Sequence, residues 1–166
     1  MAYTPTIGTP PAITSFNSLA SINTTATAAA SSAAYTTDTT KATVDAQVQI
    51  KIALPAGFTP SGATLINVYA YGSADGTTWP GGSATAEVLT GADSAITLST
   101  LGTNLVWVGS ILAHTAGITI TSEPLSIRSA FGYLPKKWAL VITNALPATY
   151  SLAASGHSVV VTEISY

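Results

Sequence analysis

Residues 44–54 read Val-Asp-Ala-Gln-Val-Gln-Ile-Lys-Ile-Ala-Leu, and every even position is apolar. Val44, Ala46, Val48, Ile50, Ile52 and Leu54 alternate with Asp45, Gln47, Gln49 and Lys51. A period of two is the pattern of a β-strand with one face buried and one face wet. At about 3.3 Å per residue this strand would run roughly 36 Å, long for a globular protein. Such a strand needs hydrogen-bonding partners on both sides and a second layer over its apolar face.

The rest of the chain offers both. Residues 65–71 alternate again, with Ile66, Val68 and Ala70 on one face and Asn67, Tyr69 and Tyr71 on the other. Asp75-Gly76 then predicts a hairpin turn with Gly76 at positive φ. Residues 85–89 and 95–99 are short strand candidates. Residues 105–113 are apolar on both faces, which predicts a central or covered strand. Ile118 and Ile120 alternate with Thr119 and Thr121, and Leu125, Ile127 and Phe131 form a further apolar set. Residues 31–37, 138–142 and 158–166 complete the strand candidates, and Pro- and Gly-rich stretches at 55–62 and 132–137 predict loops. No window has a convincing period of 3.6, and no internal repeat is present. Eight or nine short strands at this spacing predict an all-β antiparallel β-sandwich, jelly-roll-like.

Residues 1–27 differ from the rest of the chain. Pro5, Pro10 and Pro11 bias them to an extended conformation, and their few large apolar residues, among them Ile7, Ile13 and Phe16, are too few to fold alone. Ordering such a segment costs about 1–2 kcal/mol per residue, so it must bury surface against something. The expectation is an extended N-terminal arm over 1–27, lying along a neighbouring subunit, and a sandwich domain over 28–166.

Of the 166 residues, 47% are hydrophobic and only 7% are charged, against about 25% charged in an ordinary soluble protein. Little charge means little mutual repulsion, so the chain is expected to associate, with itself or with other proteins. Five Lys plus Arg and a net charge of −2 do not supply the basic stripe that nucleic-acid binding needs. The absence of cysteine removes disulfides, thiolate metal sites and a Cys nucleophile. The first residues lack the basic and apolar runs of a signal peptide. The apolar run 105–113 is too short to cross a bilayer as a helix, so no membrane partner is expected.

A search for chemistry finds little. No nucleophile elbow, phosphate loop or dinucleotide fingerprint is present. Asp38, Asp45, Asp75, Glu87, Asp93, Glu123 and Glu163 are spread along the chain without a paired spacing. His114 and His157 fall in expected loops. Asp75 to Thr78 with Asp93 lacks the spaced ligands of a calcium loop and reads as a turn. Asn23-Thr24-Thr25 matches a glycosylation acceptor, a common chance match. No cofactor, metal or catalytic residue is expected, and the chain does not read as an enzyme. The aromatics carry more information. Trp107 and Trp138 lie on strong strands and are expected in the core. Tyr69, Tyr71 and Trp79 surround the Asp-Gly turn and are expected as exposed interface or sugar-stacking residues. With Ile7, Ile13 and Phe16 of the arm they make up the candidate interface.

Three segments resemble a known group: Val68-Tyr-Ala-Tyr-Gly-Ser-Ala-Asp-Gly76, Phe131-Gly-Tyr-Leu-Pro-Lys-Lys-Trp138, and Ala139-Leu-Val-Ile-Thr-Asn144 leading to Ser155-Gly-His157. In that order they are similar to small tailed-bacteriophage virion structural proteins, over about residues 31–166. The resemblance implies a β-sandwich virion component without catalytic residues. The function expected is a capsid decoration or cement protein that stabilises the head by subunit–subunit contacts. It would be a homo-oligomer bound to the major capsid protein. A tail, neck, baseplate or fibre component bound to tail proteins is the alternative, and a carbohydrate-binding module is another.

Overall fold

The computed structural model describes residues 6–7, 12–13, 16–22, 28–60, 64–80, 89–97, 104–143, 146 and 150–166. Among these the strands are β1 (Thr6–Ile7), β2 (Ala12–Ile13), β3 (Ala28–Ser31), β4 (Tyr35–Thr36), β5 (Thr43–Ala53) and β6 (Leu65–Ser73). They continue with β7 (Ser94–Thr97), β8 (Val106–Leu112), β9 (Thr119–Thr121), β10 (Leu125–Ser126), β11 (Lys137–Thr143) and β12 (Ser158–Ser165). A 3-10 turn spans Asn17–Ser21, and one short helix, α1, spans Ile127–Phe131.

Two antiparallel sheets form an all-β sandwich. In the first, β5 lies between β12 on one side and β9 and β10 on the other, and β1 and β2 pair with the far edge of β12. In the second the order is β7, β3, β11, β6, β8, with β4 continuing the β3 position beside β11. The chain crosses between sheets after β2, β4, β5, β8, β10 and β11.

The alternation in β5 is realised from Ala46 to Ile52, while Val44 is half-buried. Ala46, Val48, Ile50 and Ile52 are fully buried, whereas Gln49 and Lys51 face solvent. Opposite them stand Ile66, Val68 and Ala70 of β6 and Trp138, Leu140 and Ile142 of β11. Val159 and Val161 of β12 extend the same face, in register with Ile50 and Val48. Removing these side chains from water is the main stabilising term, about 1.5–3 kcal/mol for each fully buried large aliphatic.

Several expectations are corrected. The described parts of 1–27 belong to the chain's own sandwich: Ile7 pairs with Ile164, Ile13 pairs with Val159, and Phe16, Leu19 and Ile22 are buried in the main core. The physical reason lies in their spacing of three. A 3-10 turn has three residues per turn, so all three side chains fall on one face. β8 is an edge strand, and Trp107 is 60% exposed. Apolar character on both faces did not mean burial on both. Gly76 has φ of 82°, as its turn predicts; among the described residues β6 does not pair with β7, and most of the strand expected directly after the turn lies outside the described residues. Leu125 lies in β10, and Ile127 and Phe131 lie in α1. Of the candidate strand at 85–89, residues 85–88 lie outside the described residues, and Leu89 is buried without strand geometry.

Ile50→Ala and Leu19→Ala should each lower the unfolding free energy by about 2–5 kcal/mol, as buried truncations do. Lys51→Ala should stay within about 0.5 kcal/mol. Urea denaturation of the isolated protein measures all three. An unchanged midpoint for Leu19→Ala would return this segment to a neighbouring subunit.

Candidate functional site

The outward face of the second sheet carries Tyr69, Tyr71 and Trp107, with Trp79 packed on it, and it divides into a covered part and a bare part. In the covered part, Ala29, Tyr71, Ile96, Ala139 and Val141 meet Leu89 and Leu105, with Tyr69 and Trp79 packed alongside. This is a second, smaller core on the far side of the sheet. Tyr71 is buried, and its hydroxyl accepts from the Gly91 N–H at 2.8 Å. The same hydroxyl lies 2.8 Å from Ser31 Oγ, which in turn donates to the Ser32 carbonyl. Burial pushes the Tyr71 phenol above its ordinary range, so it remains a neutral donor and acceptor.

Gly91 is the pivot of this cover. Its φ is 74°, and a Cβ there would lie 2.5 Å from the Trp79 ring and 2.9 Å from Ala34 Cβ. Only glycine takes that backbone and that proximity together. Its carbonyl accepts from the Ala34 N–H at 2.8 Å. Trp79 meets Tyr71 edge-on, with ring centroids 5.3 Å apart, an arrangement favoured by the ring quadrupoles. Asp93 ties the cover to the N-terminal segment, its carboxylate accepting from the Asn17 and Ser18 amides at 2.8 and 3.1 Å.

The Asp75 turn is self-contained. One carboxylate oxygen accepts from Ser73 Oγ and the Thr77 and Thr78 amides, and the other from Thr78 Oγ1, all at 2.7–2.8 Å. The Thr78 and Thr77 amide bonds hold the Asp75 carboxyl well below the usual carboxylate range. Asp75 and Asp93 are thus committed to different partners and do not form a shared cation site. Glu163 is buried on the inward face of β12, where it accepts from Tyr35 Oη at 3.1 Å and the Asp38 amide at 2.9 Å. Burial, then the neighbouring Glu163 charge, raises the Tyr35 phenol. His157 Nδ1 accepts from the Ala53 N–H at 3.3 Å, leaving Nε2 to donate to the Ala153 carbonyl at 2.7 Å. His114 is exposed and bonds its neighbour Thr115. These titratable groups brace turns and strand ends; among the described residues no three of them converge on a metal-sized site.

The bare part lies on β6 and β8. Leu65 pairs with Leu112, Asn67 with Ser110 and Tyr69 with Trp107. Leu65, Leu112 and Trp107 are 39%, 44% and 60% exposed. Between them Ser110 Oγ donates to Asn67 Oδ1 at 2.7 Å. Neither strand carries a charged side chain.

The candidate interface residues therefore separate. Tyr69 is half-buried and adjoins the bare strip. Tyr71 is buried beneath the cover, Trp79 is half-buried as part of that cover, and Phe16 is in the main core. Ile7 and Ile13 sit in strands on the chain's own first sheet. Leu65, Leu112 and Trp107 are not among the interface residues that the sequence suggests. The alternation of 65–71 places Leu65 and Tyr69 on one face, but an edge position for β8 is not written in its sequence.

Among the described residues, no helix is long and apolar enough to cross a membrane. No family model, curated protein or solved structure matches this chain.

Tyr71→Phe removes a hydroxyl that pairs the part-buried Gly91 amide and should cost about 0.5–1.5 kcal/mol in thermal or urea unfolding. Gly91→Ala should cost more, because strain and a clash with Trp79 add. The depressed Asp75 pKa contributes stability that is fully present above its unfolded value of about 3.9 and is lost as pH falls through the folded one. Amide NMR signals of Thr77 and Thr78 should accordingly hold from pH 7 to pH 5 and shift only in stronger acid.

Proposed function

We propose that this chain is a structural protein of a bacteriophage virion, a decoration protein that stabilises the capsid through subunit–subunit contacts. The observation that carries the reading is the strip of Leu65, Trp107 and Leu112 on a strand pair without charge. Large apolar side chains exposed on both sides of the Asn67–Ser110 pair make a surface that another protein can cover, and Trp is among the residues that dominate such contacts. A sandwich with both sheets filled by aliphatic side chains makes a rigid carrier for that strip.

The segments that resemble phage virion proteins support the reading in a second way, because two of them meet in space. The 68–76 segment is β6 with its turn, and 131–138 leads into β11, its partner. Their junction is tight: a Cβ on Gly72 would lie 2.7 Å from the Pro135 ring. The resemblance thus falls on one packed unit rather than on scattered loops. A tail, neck, baseplate or fibre protein would use the same surface. The carbohydrate reading has less support, since Tyr71 is buried and Tyr69, Tyr71 and Trp79 form no open platform.

Purified particles should contain this protein in many copies, and electron microscopy with a labelled chain should place it on the head. Trp107→Ala combined with Leu112→Ser should lower particle occupancy at a fixed concentration by about tenfold or more, equal to roughly 1.4 kcal/mol. A tail location selects the alternative. Particles lacking the chain would end the virion reading, and unchanged occupancy of the double variant would remove the strip from it.

A further inference from the structure

Where β8 and β9 form the facing edges of the two sheets, the sandwich opens into a cleft of about 470 Å³, whose lining includes Ser110, Leu112 and His114 on one side and Ile120, Thr121 and Glu123 on the other. The strand register decides which backbone groups face outward there. The Ala113 amide donates to the Thr64 carbonyl at 2.9 Å. In an antiparallel ladder the doubly bonded pairs alternate, so Ile66–Ile111 and Val68–Gly109 are the next two. Ser110 and Leu112 occupy the intervening positions. Their N–H and C=O groups turn away from β6, and among the described residues no strand pairs with them. A bulge at Val108 ends the regular edge on one side, and the turn after Ala113 ends it on the other.

Natural edge strands are protected by charged side chains, proline or a covering element. The far edge of β12 is covered by β1 and β2, and β7 begins directly after Asp93. β8 reads Val-Trp-Val-Gly-Ser-Ile-Leu and carries neither charge nor proline. Its bulge shortens the edge but leaves two outward positions open.

We propose that this edge joins two copies of the chain, β8 pairing antiparallel with β8 of a second copy across a two-fold axis at Ile111. The two outward residues stand symmetrically about Ile111. The axis therefore sets Ser110 of each copy against Leu112 of the other, and each pair exchanges two backbone hydrogen bonds. The contact is isologous, using the same patch on both copies. The side chains brought together on the outer face are a small hydroxyl and a leucine. Neither β8 carries a charge, so no like charges oppose each other along the paired strands. The second copy also brings its own Leu112 onto the bare strip, toward Trp107. The second sheet then runs continuously through both copies. This names the self-contact of the assembly reading and rests on that reading only for its setting: a dimer in solution and a place on a particle are measured separately and fail separately.

Light scattering on the eluting full-length protein should show a dimer. Leu112→Lys, at an exposed position, should keep the fold by circular dichroism and raise the dimer dissociation constant about tenfold or more. Cysteine mapping fixes the register, because the chain has no cysteine of its own. Ser110 and Leu112 of opposite copies would lie about 5.5 Å apart between Cα atoms, within disulfide reach. Two Ser110 or two Leu112 would be displaced diagonally, roughly 7–8 Å or more apart. A Ser110→Cys chain mixed with a Leu112→Cys chain should therefore cross-link on oxidation, and each variant alone should not. A wild-type monomer at high concentration overturns the proposal. So does a dimer unaffected by Leu112→Lys, or cross-linking that is equal in the unmixed variants.

Discussion

The structure depends on the inward face of β5. Ala46, Val48, Ile50 and Ile52 are fully buried, and a strand can bury one face along its length only if a second sheet lies over it. That requirement positions β6 and β11 opposite, and it positions β12 beside β5, with Val159 and Val161 continuing the same apolar surface. The outward residues of β5 then do local work. Asp45 accepts from Ser126 Oγ and the Arg128 amide at 2.8 and 3.0 Å, which fastens the start of α1 against the strand. A single alternating segment thereby specifies a sheet neighbour, an opposing layer and the placement of the only helix among the described residues.

The second constraint is that β11 and β6 are buried on both faces at one end. β11 is buried from Trp138 to Thr143 without alternation, the pattern of a strand covered from both sides. The additional cover comes from Trp79, Leu89 and Leu105. It is held by Tyr71 through Gly91 and is joined through Asp93 to the segment carrying Phe16 and Leu19. The N-terminal segment is consequently bound twice, by strand pairing to β12 and by burial of a 3-10 face. An arm reaching to another subunit would have neither contact with its own sandwich.

The alternating strands were legible because a period of two needs no knowledge of tertiary context. β5, β6 and β9 appear where the alternation puts them, and the all-β class follows from the number of strand candidates. What alternation cannot say is which face will be covered, and by how much. Leu65, Tyr69 and Tyr71 share one face of β6, yet Tyr71 is buried under a distant loop while Leu65 is exposed. The same limit explains the two tryptophans. Trp138 lies on β11 between two neighbours and Trp107 on β8 with one, a difference of sheet position that neither local sequence records. The spacing of Phe16, Leu19 and Ile22 was legible in principle, but as a period of three in a segment whose prolines point to extended chain.

Low charge makes the edges of this sandwich matter more than they would in an ordinary protein. With five Lys plus Arg and seven Asp plus Glu in 166 residues, long-range repulsion does little to keep copies apart. Protection must come from covering each edge. The first sheet achieves this along β12 with β1 and β2. At β8 the cover is partial: α1 and β10 pack near the bulge, where Gly109 admits Leu125 within 2.8 Å of a would-be Cβ. Beyond Gly109 no described strand covers the edge, and there the outward amides and the apolar strip coincide on the same few residues. A chain under pressure to remain monomeric would place a lysine or proline on that strand. Keeping it neutral, apolar and bonded on one side alone is consistent with an edge that is satisfied by another chain.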